Sequence, residues 1–581
     1  MRVEIIEGSE AIERLRPEWD AIYDADPEAH YFLSWSWLNG YLAPWGREAF
    51  VLAARPDTDG ASYVALLPLR LRTKERSNTE FCNEINLAGN YISDYAGFLC
   101  RPGFEEQALP ALAAKVQQLN WRRLRLENFC ASERRAELFL RGFSPHTFET
   151  TQPSLVNPDG TDNSICPSVT LPEDWDRYLE TRVSSNTRQK IRRFLRQVES
   201  SETYRISHAN ADTVARDIDL LLALWTQRWA GQKGKRLQAI LNADRRALRQ
   251  AFAAGTLFVP VLWHGDRAIC VFAFLIDDRK KTYNFYIGGR DESVKGLPVG
   301  LVLHAYAIRH AIANGITKYD FLRGNEPYKY SFGCEERRIR SLFLTTKDHR
   351  NLGGKLDARS VPLVLQRAFE LHQADRLDEA ERAYRQVLDV DPHHAKALHL
   401  LGTVAAKRGD HVTAVKQFRL LVSLRPDVVT TWYELGKSLQ VRGAWAEAAE
   451  AYCELISRQA THPQVYCNLG QVLLKLDQLD HAVAAFEAAL GLKADYADAI
   501  VGRSEALGAR GTISRSKAAQ RASRHAAVGE RVATIGAIAA AARRFNRATI
   551  ASQSPSSQGA GGTSLADAWR PAGGVKSRVL H

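Results

Sequence analysis

Four alanines, Ala380, Ala414, Ala448 and Ala482, stand 34 residues apart. Tyr384, Phe418, Tyr452 and Phe486 keep the same interval, as do Leu401, Leu435 and Leu469 and the glycines Gly402, Gly436 and Gly470. Pro392 and Pro426 share it. Several classes of position held in one register exclude a chance heptad. They require a stack of similar units, each too small to bury its apolar face without its neighbours.

The period and the recurring small residues resemble the tetratricopeptide repeat, in which Ala and Gly let paired helices approach closely. The match spans residues 361–508. Its first unit carries Ala368 and its capping helix Ser504 where the inner units have glycine, as terminal repeats do. The resemblance implies a binding surface for a protein or peptide partner.

Beyond the repeats the composition changes to Ala, Ser, Arg and Gly, as in ASQSPSSQGAGGTS, and residues 509–581 are expected to be a basic disordered tail. The tail from residue 510 holds twelve Lys or Arg against Glu530 and Asp567, most of the chain's net charge of +12. The remainder is nearly neutral, so net charge gives nucleic-acid binding no support.

At 581 residues the chain exceeds what one hydrophobic core organises, and its 45% apolar content supplies more than one core. Its eight cysteines form no CxxC pair and have no histidine at metal-ligand spacing, so no metal site is expected. The N-terminus lacks a basic start followed by an apolar run, and no window approaches the length of a membrane span. A cytoplasmic location with reduced thiols is the expectation.

The first 350 residues have another texture. Strand-like runs such as FVLAA (50–54), YVALLPLRL (63–71) and WRRLRLENF (121–129) alternate with helical periodicity, as in EQALPALAAKVQQL (106–119). Later, Asp217 to about Ala254 reads as helical, 256–289 as three strands, 301–315 as a helix and KYDFLRG as a further strand. This is a mixed α/β pattern of two lobes.

Between the third of those strands and the helix lies GGRDESVKGLPVGLVL (288–303). A glycine-bearing loop entering a helix offers unpaired N–H groups and the positive end of the helix dipole to a phosphate. Lys295, Gly296, Pro298, Val299, Gly300 and Leu301 are the candidate phosphate contacts.

Three strands, such a loop, a helix and a strand follow the core order of the GNAT acyltransferases, and Lys295 to Gly300 is similar to that superfamily's pyrophosphate signature. Lysine and proline depart from it at its first and fourth positions. More narrowly, the chain resembles the CelD-like acetyltransferases, relatives of the FemAB aminoacyltransferases. The resemblance rests on FLSWSWLNGYLAPWG (32–46), the SDY of NYISDYAGFL (90–99), SSNTRQKIRRFLRQVE (184–199), PVGLVLHAYAIRHAIANGITKYDFLRG (298–324) and EPYKYSFG (326–333). It implies tandem GNAT-like lobes over residues 1–165 and 166–345, a linker at 346–360, and acetyl-CoA or another acyl-CoA as co-substrate. It also implies an amine or hydroxyl acceptor on a small molecule or saccharide of a polysaccharide or envelope pathway.

Direct acyl transfer needs a base for the acceptor and a proton donor for the leaving thiolate. In DFLRGNEPYKYSFG (320–333), Asp320 and Glu326 are alternative bases and Tyr328 the candidate acid. Arg323 and Lys329, with Asp94 and Tyr95 of the first lobe, are candidate acceptor contacts. Two other functions fit the same residues: a tRNA-dependent aminoacyl transferase, and a non-catalytic scaffold built on a degenerate acyltransferase fold.

Overall fold

The computed structural model describes residues 1–516 apart from 77–79, 90–91 and 459–461. Most of the expected disordered tail lies outside the described residues. Among the described residues the chain divides into two units, one of Met1–Lys74 and Cys82–Ser360 and a second that runs from Val361.

The first unit is α/β. Its first seven strands are Arg2–Glu7 (β1), Ala49–Arg55 (β2), Ala65–Glu75 (β3), Phe81–Leu87 (β4), Leu99–Cys100 (β5), Arg123–Phe129 (β6) and Phe148–Thr151 (β7). Eight more follow: Ile165–Thr170 (β8), Tyr204–His208 (β9), Leu257–Phe258 (β10), Pro260–His264 (β11), Arg267–Asp277 (β12), Thr282–Arg290 (β13), Lys318–Asp320 (β14) and Glu335–Arg338 (β15). Among the described residues they form two mixed sheets. The second runs β15-β8-β14-β13-β12-β11-β9, with β10 beside β12.

The last strand, Arg340–Thr346 (β16), leaves the second lobe. It pairs antiparallel with β6 and β7, inside the first sheet. The boundary expected at residue 345 is therefore displaced at its end. Leu342 and Leu344 place their side chains in the first lobe's core, and that burial fixes the strand there.

β12 reads as one apolar run, AICVFAFLI, because both of its faces are covered. Phe272 and Phe274 pack towards the helix Val299–Ala313, whereas Val271 and Ala273 pack towards the helix Val214–Lys233. The latter helix lies so close to β13 that a Cβ at Gly289 would stand 2.6 Å from the Leu221 carbonyl oxygen. The helical stretch expected from Asp217 to Ala254 is two helices, broken at Gly234 (φ +49°) before Leu237–Ala253.

A third core joins the lobes. Trp19, Trp35, Trp37 and Tyr95 of the first lobe are buried with Cys166, Ala247, Leu275, Leu322 and Ile339 of the second. Trp37 also donates from Nε1 to Ser93 Oγ at 2.8 Å and meets Tyr286 edge to face. Such a shared apolar interior makes the two lobes one body.

The second unit is an all-α tetratricopeptide solenoid, running from Val361–Gln373 to Ala497–Ser516 among the described residues. Ala380, Ala414, Ala448 and Ala482 are fully buried. At Gly402, Gly436 and Gly470 an added Cβ would stand 2.5–2.7 Å from the ring of Phe418, Tyr452 and Phe486, respectively. The 34-residue register thus pairs a missing side chain with an aromatic ring in each inner repeat.

Candidate functional site

β13 and β14 pair in parallel over only Thr282–Asn284 and Lys318–Asp320. β13 then runs on to Arg290 without that partner, while the chain after Asp320 stays beside β8, Phe321 N–H donating to the Pro167 carbonyl at 2.9 Å and Gly324 N–H to the Ile165 carbonyl at 2.8 Å. The strands separate at that point, beside the helix that follows β13.

That helix, Val299–Ala313, begins without a side-chain cap on Pro298. Its first intrahelical bond runs from Val302 N–H to the Pro298 carbonyl, at 3.1 Å. The N–H groups of Gly300 and Leu301 therefore lie ahead of the ladder, at the positive end of the dipole. Gly296 (φ +80°) has open space where a Cβ would be, and a Cβ at Gly300 would meet only Arg290 NH1 at 3.9 Å. These features fit a pyrophosphate.

Two of the six expected loop contacts need correction. Val299 is buried in the core, and its N–H donates to the Leu297 carbonyl at 2.9 Å. Pro298 has no N–H and its carbonyl is engaged by Val302, so neither residue has a backbone donor to offer. Lys295 is exposed, with Nζ 3.3 Å from the Glu292 carbonyl. Arg290 and Arg228 are not among the expected phosphate contacts, yet their guanidinium groups both pair with Glu292, at 2.9 and 3.8 Å. The arginine directly after two glycines at a strand end was the available signal.

The structure divides DFLRGNEPYKYSFG among different tasks. Asp320 is buried, and its Oδ1 accepts from the Tyr95 hydroxyl and the Leu322 N–H, both at 2.8 Å. Its Oδ2 lies 3.5 Å from Arg337 and 3.6 Å from Lys318. Burial, then the adjacent Asp320 carboxylate, pushes the Tyr95 phenol well above its ordinary pKa, so it is a fixed neutral donor.

Arg323 donates from Nε to Asp94 at 2.6 Å and from NH1 to Asn128 at 2.9 Å. Burial opposes its charge, but Asp94 outweighs that and raises its pKa. Asp94 and Arg323, predicted as separate acceptor contacts, are thus each other's partners across the lobes.

Lys329 requires the plainest correction. It is buried, and Nζ reaches the carbonyls of Arg323 and Gly324 at 2.8 and 2.9 Å and Glu326 Oε2 at 2.9 Å. Two of its three ammonium protons go to those carbonyls and its charge is paired with Glu326, so the buried head group is held within its own turn rather than offered to a phosphate or an anionic acceptor.

Glu326 keeps a partly exposed carboxylate beside Lys329. Tyr328, partly open to solvent, stacks on His304 with ring centroids 5.6 Å apart, one turn beyond Gly300 on the same helix. Burial and then the Glu326 carboxylate raise the Tyr328 pKa, so its hydroxyl holds its proton. His304 is buried against Tyr319, at 2.8 Å, and burial lowers its pKa far below the usual value.

Asp320 and Tyr95 also line a pocket of about 1220 Å³ on the opposite face of β13 and β14, between the lobes. His30, Lys318 and Arg337 are at its wall. They come from distant segments, and no local sequence pattern announced them.

Residues 185–330 match the model of the acetyltransferase (GNAT) domain, and residues 367–429 and 463–496 match tetratricopeptide repeat models. The chain therefore carries an acetyltransferase-type domain followed by tetratricopeptide repeats. Among curated proteins, human tetratricopeptide repeat protein 7B is 30% identical over 89 residues, which is 15% of this chain and 11% of that protein. A DnaJ homolog subfamily C member 7 homolog of Schizosaccharomyces pombe is 26% identical over 146 residues, covering 22% of this chain and 31% of that protein. The chain thus spans under a third of the length of these relatives. Among solved structures, FemX aligns over 60% of this chain and 97% of its own, at 11% identity and a TM-score of 0.36. MamA aligns over 34% of this chain and 98% of its own, at 18% identity and a TM-score of 0.26. Among the described residues no helix is long and apolar enough to cross a membrane.

Proposed function

We propose that residues 1 to about 345 form an acyl-CoA-dependent transferase, most simply an acetyltransferase, that acylates an amine or hydroxyl. The observation that carries this reading is the separation of β13 from β14 after three paired residues, next to an uncapped helix start that follows β13. The match to the acetyltransferase (GNAT) domain model over residues 185–330 supports it.

The N–H groups of Gly300 and Leu301, with Arg290, Arg228 and Lys295, would hold the pyrophosphate of the coenzyme. Acyl-CoA supplies an activated thioester. Glu326 would take the acceptor's proton, because its carboxylate is partly exposed and beside Tyr328. Tyr328 would give its proton to the departing sulfur. Asp320, with both oxygens engaged by Tyr95, Leu322, Lys318 and Arg337, would act as a positioning residue.

The resemblance to CelD-like, FemAB-related enzymes points to a saccharide or envelope-precursor acceptor in the cytoplasm. The repeat unit, whose matches are to tetratricopeptide models, would recruit a protein or peptide partner. Calorimetry of the full chain with acetyl-CoA tests the central reading. Saturable binding that is lost in Gly300→Val supports it, whereas no detectable heat at millimolar ligand overturns it.

A further inference from the structure

The pocket between the lobes contains polar groups that the protein itself does not satisfy. His30 is only 7% exposed, lies in the pocket wall, and neither of its ring nitrogens has a hydrogen-bond partner. Arg337 stacks its guanidinium 4.5 Å from the centre of the Tyr95 ring, and its buried Nε is also without a partner. Buried donors of this kind ordinarily have a partner, because leaving them dry forfeits the hydrogen bonds they made to water.

The charge at this end of the pocket is unbalanced. Arg337 and Lys318 both lean on the one carboxylate of Asp320, at 3.5 and 3.6 Å, and that carboxylate already accepts from Tyr95 and Leu322. Burial, then the positive charges of Arg337 and Lys318, keeps His30 neutral, so its ring offers one donor and one acceptor. Farther out, Arg338 faces Asp162 at 3.7 Å and Arg340 faces Glu133 at 3.2 Å, so the rim cations have acidic neighbours. Ser132, Gln152, Ser164, Thr282 and Asn284 add hydroxyl and amide groups to the wall.

We propose that this pocket binds a small polyhydroxylated molecule carrying one carboxylate or phosphate, with the anion on Arg337 and Lys318 and a polar atom on His30. Its role as the site of the transferase's acceptor rests on the acyl-transfer reading; the binding itself does not. The anion supplies the charge that Asp320 alone leaves uncompensated, and Arg337, planar and held over Tyr95, presents its fork to a planar or tetrahedral oxyanion. A neutral sugar could accept from Arg337 Nε through a hydroxyl but would leave its charge uncompensated.

The full chain is titrated calorimetrically, without acyl-CoA, with glucuronate, glucose 1-phosphate and glucose. One or both anions binding at least tenfold more tightly than glucose supports the proposal, and the preferred anion distinguishes a carboxylate from a phosphate ligand. Arg337→Gln is expected to weaken that binding at least tenfold, and Arg337→Lys to restore part of it. Equal binding of glucose, or no binding of any of the three at millimolar concentration, overturns the proposal whatever the variants do. An acetyl-CoA titration of the same sample separates the two readings, since its failure alone removes the transferase and leaves the anion pocket.

Discussion

The Tyr95 hydroxyl donates to Asp320 Oδ1 across 2.8 Å, from the loop after β4 to the end of β14. One hydrogen bond thereby ties the first lobe to the strand beside which the second sheet opens. Its acceptor is a carboxylate surrounded by Lys318 and Arg337, so the bond is charge-assisted and buried.

Removing that hydroxyl in Tyr95→Phe is expected to cost about 1.5–3 kcal/mol in urea unfolding, the range for a hydrogen bond to a charged group. Asp320→Asn is expected to cost at least as much, because it leaves Lys318 and Arg337 facing a neutral amide. The same Asp320→Asn protein is expected to keep a measurable acyl-transfer rate, while Glu326→Gln loses it. The reverse pattern of rates would make Asp320 the base.

Gly300 sits where a side chain has room in the folded protein but none to spare in an occupied phosphate cradle. A Cβ there meets only the tip of Arg290, at 3.9 Å. Gly300→Val is therefore expected to leave the thermal midpoint within about 2 °C of the parent, since surface changes of this kind shift stability little. Affinity for acetyl-CoA is expected to fall at least tenfold. Undiminished affinity would place the pyrophosphate elsewhere.

Acid is expected to destabilise the α/β unit before its carboxylates titrate. Burial lowers the pKa of His30 and His304 well below 6.5, and that of His310 to about 4, with His208 adding to the last. A histidine held neutral in the fold binds its proton more readily when unfolded. Its stabilising contribution is complete above about pH 6.5 and is lost as pH falls towards the folded pKa. For fully buried His30 and His304 the loss between pH 6.5 and 5.5 is about 1 kcal/mol each. Urea midpoints measured at the two pH values check this, and a midpoint that rises on acidification contradicts it.

In the repeat unit, a Cβ at Gly436 would approach Tyr452 Cε1 to 2.6 Å. Gly436→Val is expected to cost about 1–3 kcal/mol through overpacking, despite its gain over glycine in backbone entropy. Calorimetric unfolding should show the loss in the solenoid's transition, with acetyl-CoA binding unchanged. Loss of both together would mean that the α/β unit depends on the repeats for its fold.

The repeats were legible because their information is local and periodic. Gly402 and Phe418 are 16 residues apart and touch, so the spacing in the chain is the spacing in the fold. The three antiparallel strands β11 to β13, and the loop into the helix at Val299, were also legible from apolar runs broken by turn residues and from glycine placement. The return of β16 to the first sheet was not, because Leu342 and Leu344 are apolar enough for either lobe and only the available core chooses between them.

By itself, then, the chain's sequence determined the solenoid, the mixed α/β character and the helix start suited to phosphate, because each depends on contacts between near neighbours. Tertiary structure alone decided which polar residues are free. Lys329 and Arg323 look available in the sequence, yet one is satisfied by the carbonyls of its own turn and the other by Asp94 and Asn128. His30 and Arg337 stand more than 300 residues apart in unremarked segments and emerge together as unsatisfied groups in one pocket. A donor is free only if no acceptor folds against it, and that depends on the whole of the packed chain.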